Sequence, residues 1–470
     1  MPESKDRVDV AVLGGGPGGY VAALAAARRG ARVALVEKTR VGGTCLNVGC
    51  IPTKALTTSA ELLLRARRAG AFGLLIPEVG LDLPGLMAYK RTTVDGLVGG
   101  VEQLLAASRV ALIRGEGRIK KPDTIWIEEG NGRSREIVAT HVILAPGSVP
   151  ADPPIEGRHL PGVIGSTEAL DIDAEPRRLV VVGGGVIGLE FACIYEALGS
   201  NVTVLEMTPT LLPGATDEVI AKRLEVLLRR RGLEIRLGVT VERIEQHGEA
   251  LRLHATGAAG DTIVEGDRVL LATGRWPNTV GMGITDIGVR MNGRAIAVDE
   301  TMGTNRPGVR AVGDAVGGAM LAHKAMVEGR VAAENVTGGC RRADYRSVPN
   351  VVFTRPEVAS VGWTETQARA AGADVKVAQF PFSANPRARI LGEPDGLVRL
   401  ICEVGAGRVL GVHLVGPHAT DLIAEGALAV QLGATADDLA WTTHAHPTLP
   451  EAVLEAALNF RDAAIHRHSR

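Results

Sequence analysis

Two stretches of this chain carry one hydrophobic pattern twice. Val8 to Leu13 has the length and apolar content of a buried strand, and glycines, an alanine-rich helical stretch from about Pro17 to Arg29 and a second strand from Arg32 to Val36 follow it. Leu179 to Val182 opens the same succession again, with a helix reaching Leu198 and a strand from Val202 to Leu205. Apolar strands separated by helices are the pattern of a parallel sheet covered on both faces. Between the copies lie two long helical patterns, roughly Thr57 to Arg68 and Leu86 to Ser108, then short strands, then a strand from His141 to Ala145 ending in Pro146-Gly147-Ser148. Val269 to Ala272 ends similarly in Thr273-Gly274-Arg275, and both endings read as crossings between domains, turning at Gly147 and Gly274. Val309 to Val312 is a further strand leading into Gly313-Asp314, and Met320-Leu321-Ala322 begins a helix that runs to about Val336. From Ser347 the pattern changes to alternating strands near Val375 to Phe380, Leu397 to Glu403 and Val409 to Val415, then helices from about Thr420.

Both copies carry G-x-G-x-x-G where strand meets helix. In the first, Gly14 makes the tight turn, Gly16 admits close approach of a pyrophosphate, and Gly19 lets helix lie against strand; in the second these are Gly183, Gly185 and Gly188. Each helix N-terminus then faces the anion. Glu37 and Glu206 each stand 23 residues beyond the first glycine of their copy, placed to accept hydrogen bonds from an adenosine ribose. At Glu206 the acid favours the free 2′-hydroxyl of NAD and repels the 2′-phosphate of NADP, and Met207-Thr208-Pro209-Thr210 offers no arginine to reverse that preference. The expected fold is α/β, with two Rossmann-like dinucleotide-binding domains at 1–150 and 151–277, a central domain at 278–346 and an α+β C-terminal domain at 347–470. That last domain has no phosphate loop and reads as an assembly or substrate-contributing module.

Composition narrows the class. The chain has 470 residues, 46% hydrophobic, with 59 glycines, enough for several cores of the parallel-sheet kind. Formal net charge is −1, with no basic face to suggest a nucleic-acid partner. No apolar run approaches the length of a membrane span, and the polar lead-in from Met1 to Arg7 enters the first strand without a cleavable apolar segment, so a soluble cytoplasmic protein is expected. No set of residues has metal-ligand spacing.

Five cysteines are too few and too scattered for a structural disulfide framework. Cys45 and Cys50 alone are paired by spacing, within G-G-T-C-L-N-V-G-C-I-P-T-K from Gly42 to Lys54. In a regular helix their Cα atoms would lie about 8.6 Å apart, beyond the roughly 7 Å a disulfide tolerates, so a bridge requires a distorted turn. Gly49 can supply the backbone and Pro52 can restart a helix. Two ordinary reduced cysteines in a helix are the alternative. Near the C-terminus, His444-Ala445-His446-Pro447-Thr448-Leu449-Pro450-Glu451 precedes a final helix. Thr448 to Glu451 has the spacing of a capping box; His446 also suits a general base near neutral pH, oriented by Glu451, though one carboxylate can hardly serve both roles fully.

With these motifs in order, and with A-V-G-D at 311–314, M-L-A-H-K-A at 320–325 and F-S-A-N-P-R-A at 382–388, the chain resembles the class I flavin-dependent pyridine nucleotide disulfide oxidoreductases from end to end, and within them the dihydrolipoamide dehydrogenase branch. The cysteine-bearing tail of mercuric reductases and large thioredoxin reductases does not follow the final helix pattern. The resemblance implies that the first domain binds FAD, the second NAD, and that the chain forms a homodimer in which His446 serves the partner's disulfide. By position, Cys45 would exchange disulfides with substrate and Cys50 would face the flavin as the charge-transfer thiol. Lys54 would contact the flavin and pair with Glu190, although a solvated lysine and an ordinary helix carboxylate are the plainer readings of those two residues. Asp314 would hold the ribityl chain, Gly147 and Gly274 would lie against the bound cofactors at the two crossings, and the helix start at Met320, Leu321 and Ala322 would stabilise negative charge on the flavin. The implied activity is oxidation of dihydrolipoamide carried by another protein, within a 2-oxo acid dehydrogenase or glycine cleavage complex. A reductase of another disulfide or a quinone, and a flavin-loaded docking subunit, are the rivals. Pro146, where a threonine is common, is the departure with a bearing on the crossing between the first two domains.

Overall fold

A strand buried on both faces must be apolar along its length, and β1 (Asp6–Leu13) meets that demand, with Val10, Ala11, Val12 and Leu13 all buried. After the glycines, α1 (Pro17–Arg28) starts with a proline where no N–H is needed and returns the chain to β2 (Val33–Glu37), parallel to β1. A computed structural model describes residues 6–130, 132–258 and 260–466; the polar lead-in before Asp6 and the last four residues of the tail lie outside the described residues. The helices α2 (Gly43–Val48), α3 (Cys50–Arg67) and α4 (Leu83–Ala107) follow, then β3 (Ala111–Arg114) beside β2. The hairpin of β4 (Glu116–Lys121) and β5 (Thr124–Glu128) leads to the long β6 (Ser134–Leu144), which pairs with β1 along one edge.

The crossing β7 (Ser148–Pro150) and the short β8 (Val163–Ile164) precede the second unit. There β9 (Arg178–Val182), α5 (Val186–Leu198), β10 (Asn201–Glu206), α6 (Glu218–Arg230) and β11 (Glu234–Leu237) repeat the first succession. An antiparallel sheet of β12 (Val239–His247), β13 (Ala250–Gly257) and β14 (Gly260–Gly266) is followed by β15 (Arg268–Leu271), which completes a parallel sheet in the order β11-β10-β9-β15-β8. The return crossing β16 (Arg275–Pro277) pairs antiparallel with β7. The two crossings expected from sequence are thus one two-stranded joint.

The stretch after that joint rejoins the first unit. Past the small hairpin β17 (Met291–Asn292) and β18 (Ala295–Ile296), β19 (Val309–Ala311) pairs parallel with the end of β6, on the edge that β5 leaves free. Ile284, Ile287, Val289 and Ile296 share one core with Ala11, Leu13 and Val142. The helix α7 (Ala322–Val336) lies against α1 so closely that a Cβ at Gly329 would meet the Gly18 carbonyl oxygen at 2.4 Å. The last unit is an antiparallel sheet ordered β20-β21-β24-β23-β22, made of β20 (Asn350–Val352), β21 (Glu357–Gly362), β22 (Val375–Pro381), β23 (Leu397–Glu403) and β24 (Val409–Gly416). Short helices α8 (Glu365–Ala370) and α9 (Pro386–Ile390) connect its strands, and α10 (Ala419–Leu432), α11 (Ala436–Trp441) and α12 (Glu451–Phe460) follow. Among the described residues no helix is long and apolar enough to cross a membrane.

Candidate active site

The two cysteines sit on either side of a helix break. Cys45 lies in α2, Cys50 is the first residue of α3, and Gly49 separates the two helices. A Cβ at Gly49 would come within 2.8 Å of the Thr44 carbonyl oxygen, so a glycine lets the chain close here. The helix expected from Thr57 runs back through Pro52 to Cys50, because Pro52 falls in the first turn, where amides have no intrahelical partner. At the other end, a Cβ on Gly43 would meet the Gly16 Cα at 2.7 Å, and the Gly42 amide donates to the Gly15 carbonyl at 2.8 Å. These contacts pin the cysteine helices to the first glycine loop. The thiols are close enough to share a hydrogen bond, which lowers the Cys50 thiol to about 7, against burial and with help from the Lys54 charge. The same bond, together with burial, pushes the Cys45 thiol up. The asymmetry makes Cys50 the better thiolate.

Lys54 stands one turn beyond Cys50 on α3, and its Nζ donates to both carboxylate oxygens of Glu190 on α5, at 2.9 and 2.8 Å. Glu190 is buried and takes a third hydrogen bond from the Phe353 amide at 3.0 Å, while the Phe353 ring lies 4.6 Å from Nζ. Three separate stretches of chain therefore close on one charge pair, and a carboxylate buried this deeply requires such partners.

The two glycine loops are near copies. Gly14 (φ +103°) and Gly183 (φ +115°) turn where a Cβ would strike a carbonyl oxygen, of Ala145 at 2.2 Å and of Ala272 at 2.4 Å. Gly19 and Gly188 lie against their own loops, each with the carbonyl oxygen of the first glycine within 2.0 Å of a built Cβ. Gly185 faces open space, and Gly16 has nothing but the Gly43 Cα near its would-be Cβ, at 3.9 Å. Neither α1 nor α5 has a side-chain cap or an acid in its first turn, so their leading amides are left for an anion, and both cradles fit a dinucleotide pyrophosphate. The acids do more than face a ribose. Glu37 accepts from the Gly15 amide at 2.8 Å and the Thr39 amide at 2.8 Å; Glu206 accepts from the Gly184 amide at 2.5 Å and the Thr208 amide at 2.7 Å. Each acid ties its glycine loop to the turn after its strand, with lone pairs left for hydroxyls. The donors are backbone amides, which any residue but proline supplies, so the sequence carries no signal for these ties; the Thr39 hydroxyl adds a bond to Glu37 at 3.0 Å, whereas the Thr208 hydroxyl goes to the Thr210 carbonyl.

Asp314 follows Gly313 (φ +77°) after β19, and its Oδ2 accepts from the Ser148 hydroxyl at 2.5 Å. The Arg275 Nε donates to the same hydroxyl at 2.7 Å and its Nη2 to the Ser148 carbonyl at 2.8 Å. Burial lowers the pKa of Arg275, countered by the charges of Asp314 and Cys50. Both crossings and Asp314 meet at this point. Ser148 and Arg275 directly follow the glycines marked from sequence, Gly147 and Gly274, and were themselves not singled out. Nearby, α7 begins at Ala322 after Met320 and Leu321, again without a side-chain cap or a first-turn acid.

His446 and Glu451 pair at 2.8 Å between Nδ1 and Oε1. The other carboxylate oxygen accepts from the Thr448 amide at 2.7 Å, whereas the Thr448 hydroxyl turns away to the Ala445 carbonyl. Half a capping box is therefore present, and the carboxylate divides its two oxygens between the His446 ring and the Thr448 amide. Burial opposes ionisation of Glu451, but the Thr448 amide and His446 hold its carboxyl below the usual range. The His446 side chain is 70% exposed. Among the described residues no hydrogen bond or ion pair joins it to Cys45, Cys50 or Lys54 of the same chain.

Comparison with known proteins gives a consistent answer. The model of the pyridine nucleotide-disulphide oxidoreductases matches residues 8–329, and that of their dimerisation domain matches residues 348–457. The chain is 45% identical to a dihydrolipoyl dehydrogenase of Thermus scotoductus, over 97% of this chain and 98% of the relative. It is 40% identical to the mitochondrial dihydrolipoyl dehydrogenase of Pisum sativum, over 98% and 93%. The solved structure of LpdA from Mycobacterium tuberculosis superposes with a TM-score of 0.89 at 30% identity, covering 97% of this chain and 99% of that one.

Proposed function

The chain belongs to the pyridine nucleotide-disulphide oxidoreductase family, and on that premise we propose that it is an FAD-dependent dihydrolipoyl dehydrogenase that delivers electrons to NAD. The observation that carries this reading is the break at Gly49, which puts Cys45 in α2 and Cys50 at the start of α3, with Lys54, held by Glu190, one turn beyond Cys50. In the oxidised enzyme Cys45 and Cys50 form a disulfide. His446 of the partner subunit takes the proton from one thiol of dihydrolipoamide, and the resulting thiolate attacks the sulfur of Cys45. The Cys45–Cys50 bond breaks, and Cys50 leaves as the thiolate that the charge of Lys54 favours. The second substrate thiol then attacks the substrate sulfur bound to Cys45. Lipoamide departs with its own disulfide; the imidazole passes its first proton to the leaving Cys45 sulfur and takes the proton of the second substrate thiol, so that Cys45 is a thiol, Cys50 a thiolate, one proton stays on the partner's His446 and both electrons remain on the cysteine pair. FAD, held at the first glycine loop with Asp314 and the start of α7 around it, supplies when bound the two-electron relay between that pair and NAD at the second loop.

Glu206 favours NAD over NADP by its charge at the ribose. The match to the dimerisation domain supports a homodimer. The lipoyl group arrives on another protein, a subunit of a 2-oxo acid dehydrogenase or glycine cleavage complex. Initial rates of NAD reduction with dihydrolipoamide, set against NADH oxidation with oxidised glutathione and with a quinone, test the assignment. Turnover at least tenfold more efficient with dihydrolipoamide is expected. Greater efficiency with either alternative would overturn the substrate while leaving the family intact.

A further inference from the structure

Glu328 is fully buried, on the second turn of α7, and its carboxylate is engaged on every side. Oε2 accepts from the Gly313 amide at 2.7 Å. Oε1 accepts from the Tyr345 hydroxyl at 2.8 Å and pairs with the Lys324 Nζ at 2.7 Å. Lys324 is itself buried; its Nζ also donates to the Gly317 carbonyl at 3.1 Å and lies 5.7 Å from the centre of the Tyr345 ring. The Gly313 amide opens the turn that carries Asp314, and the Gly317 carbonyl closes it. A glycine at φ +77° has no intrinsic preference for that conformation, so something outside the turn must hold it. Glu328 is the group placed to do so: it accepts from the Gly313 amide, for which no backbone carbonyl is an acceptor among the described residues.

We propose that Glu328 is a positioning residue for the flavin site: with Lys324 and Tyr345 it clamps both ends of the Gly313–Gly317 turn and so sets the direction of the Asp314 carboxylate. This rests on the reading that Asp314 contacts the ribityl chain. The ion pair also keeps the start of α7 neutral, since an unpaired Lys324 would place a buried positive charge one turn from the helix N-terminus. Loss of a hydrogen bond to a charged acceptor weakens an interaction by about tenfold or more.

The test is the rate at which the purified holoenzyme releases FAD on dilution, read from the fluorescence of the freed flavin, with melting curves and NADH binding at the second loop measured alongside. Glu328→Ala is expected to release FAD about tenfold faster or more. Glu328→Gln, which keeps an acceptor for the Gly313 amide, should fall between it and the parent, and NADH affinity should be unchanged in both. If Glu328→Ala does not fold, Tyr345→Phe gives the reading instead, with a smaller acceleration of release at unchanged NADH affinity. Parent-like FAD release in Glu328→Ala, or in Tyr345→Phe when that variant stands in, beside fast release in Asp314→Ala overturns the positioning role. Parent-like release in Asp314→Ala as well shows instead that the Asp314 assignment is at fault. Loss of FAD and NADH affinity in parallel, at the same lowered melting temperature, assigns Glu328 to general stability and also overturns the proposal.

Discussion

Replacing Lys54 by methionine should raise the pH at which Cys50 becomes a nucleophile. Cys50 and Lys54 lie four residues apart on one face of α3, which puts their Cβ atoms about 5–6 Å apart, and about 6 Å serves as the order of magnitude for the separation of thiolate and ammonium. At an effective dielectric of about 20 that attraction amounts to about 3 kcal/mol, or about two pH units. Lys54 is 30% exposed, and solvent screening reduces the effect to about one unit. Glu190 works in the same direction: once its partner is gone, its negative charge is left near the thiol and opposes a second anion. The sign is therefore upward, from about 7 towards about 8 to 9. The assay is alkylation of the reduced enzyme by iodoacetamide as a function of pH, followed on the Cys50 peptide by mass spectrometry. Lys54→Arg should keep its midpoint within about half a unit of the parent. Burying Glu190 without a partner should also cost about 3–5 kcal/mol of stability, which Glu190→Gln in the same chain should largely relieve. A midpoint that stays at its parent value or falls in Lys54→Met would refute the claim that the Lys54 charge, added to the Cys45 hydrogen bond, helps to set the reactivity of Cys50.

Other expectations follow from the same geometry. His446→Gln and Cys45→Ser should each abolish most turnover with dihydrolipoamide while retaining flavin, and mixed dimers of the two should regain activity, because one of their two sites then has an intact Cys45 and an intact partner histidine; hybrids as inactive as the parent variants would place the base elsewhere. Gly49→Ala should destabilise the protein by about 1–3 kcal/mol through the contact with Thr44, seen as a lowered melting temperature, and an unchanged melting curve would show that the turn tolerates a side chain. Glu206→Ala should raise the KM for NAD and reduce the preference over NADP without affecting flavin content; an unaltered preference would separate Glu206 from nucleotide selection.

Local rules sufficed where a feature depends on neighbours in sequence. The glycine fingerprints, the acids that end β2 and β10, and the start of α7 need only a strand, a turn and a helix in succession, and each stands where the pattern put it. The Gly49 break was legible because a regular helix could not bring two cysteines five residues apart together. Lys54 and Glu190 are 136 residues apart, and neither carries a local signal, so their pairing came through family resemblance alone. Ser148, Arg275 and the Glu328 network were missed for a related reason. Ser148 and Arg275 find their partners in other units, and a glutamate on α7 differs from any surface helix carboxylate only once the Gly313 turn and Tyr345 of its own segment are folded over it. At Glu451 one oxygen meets the His446 ring and the other the Thr448 amide, while the Thr448 hydroxyl bonds elsewhere, so the two contacts coexist with the capping box half made, a division that spacing alone does not reveal.

The most direct test of the account is an anaerobic titration of the holoenzyme with dihydrolipoamide, followed by alkylation and peptide mass spectrometry, then by addition of NAD to a parallel sample. One equivalent per chain should make Cys45 and Cys50, and none of the other three cysteines, newly alkylatable, and NAD should return both to the protected state with one NADH formed per chain. Unchanged labelling of the pair on reduction, or NADH formed in a Cys45→Ser variant at the parent rate, would contradict the claim that electrons enter through this disulfide.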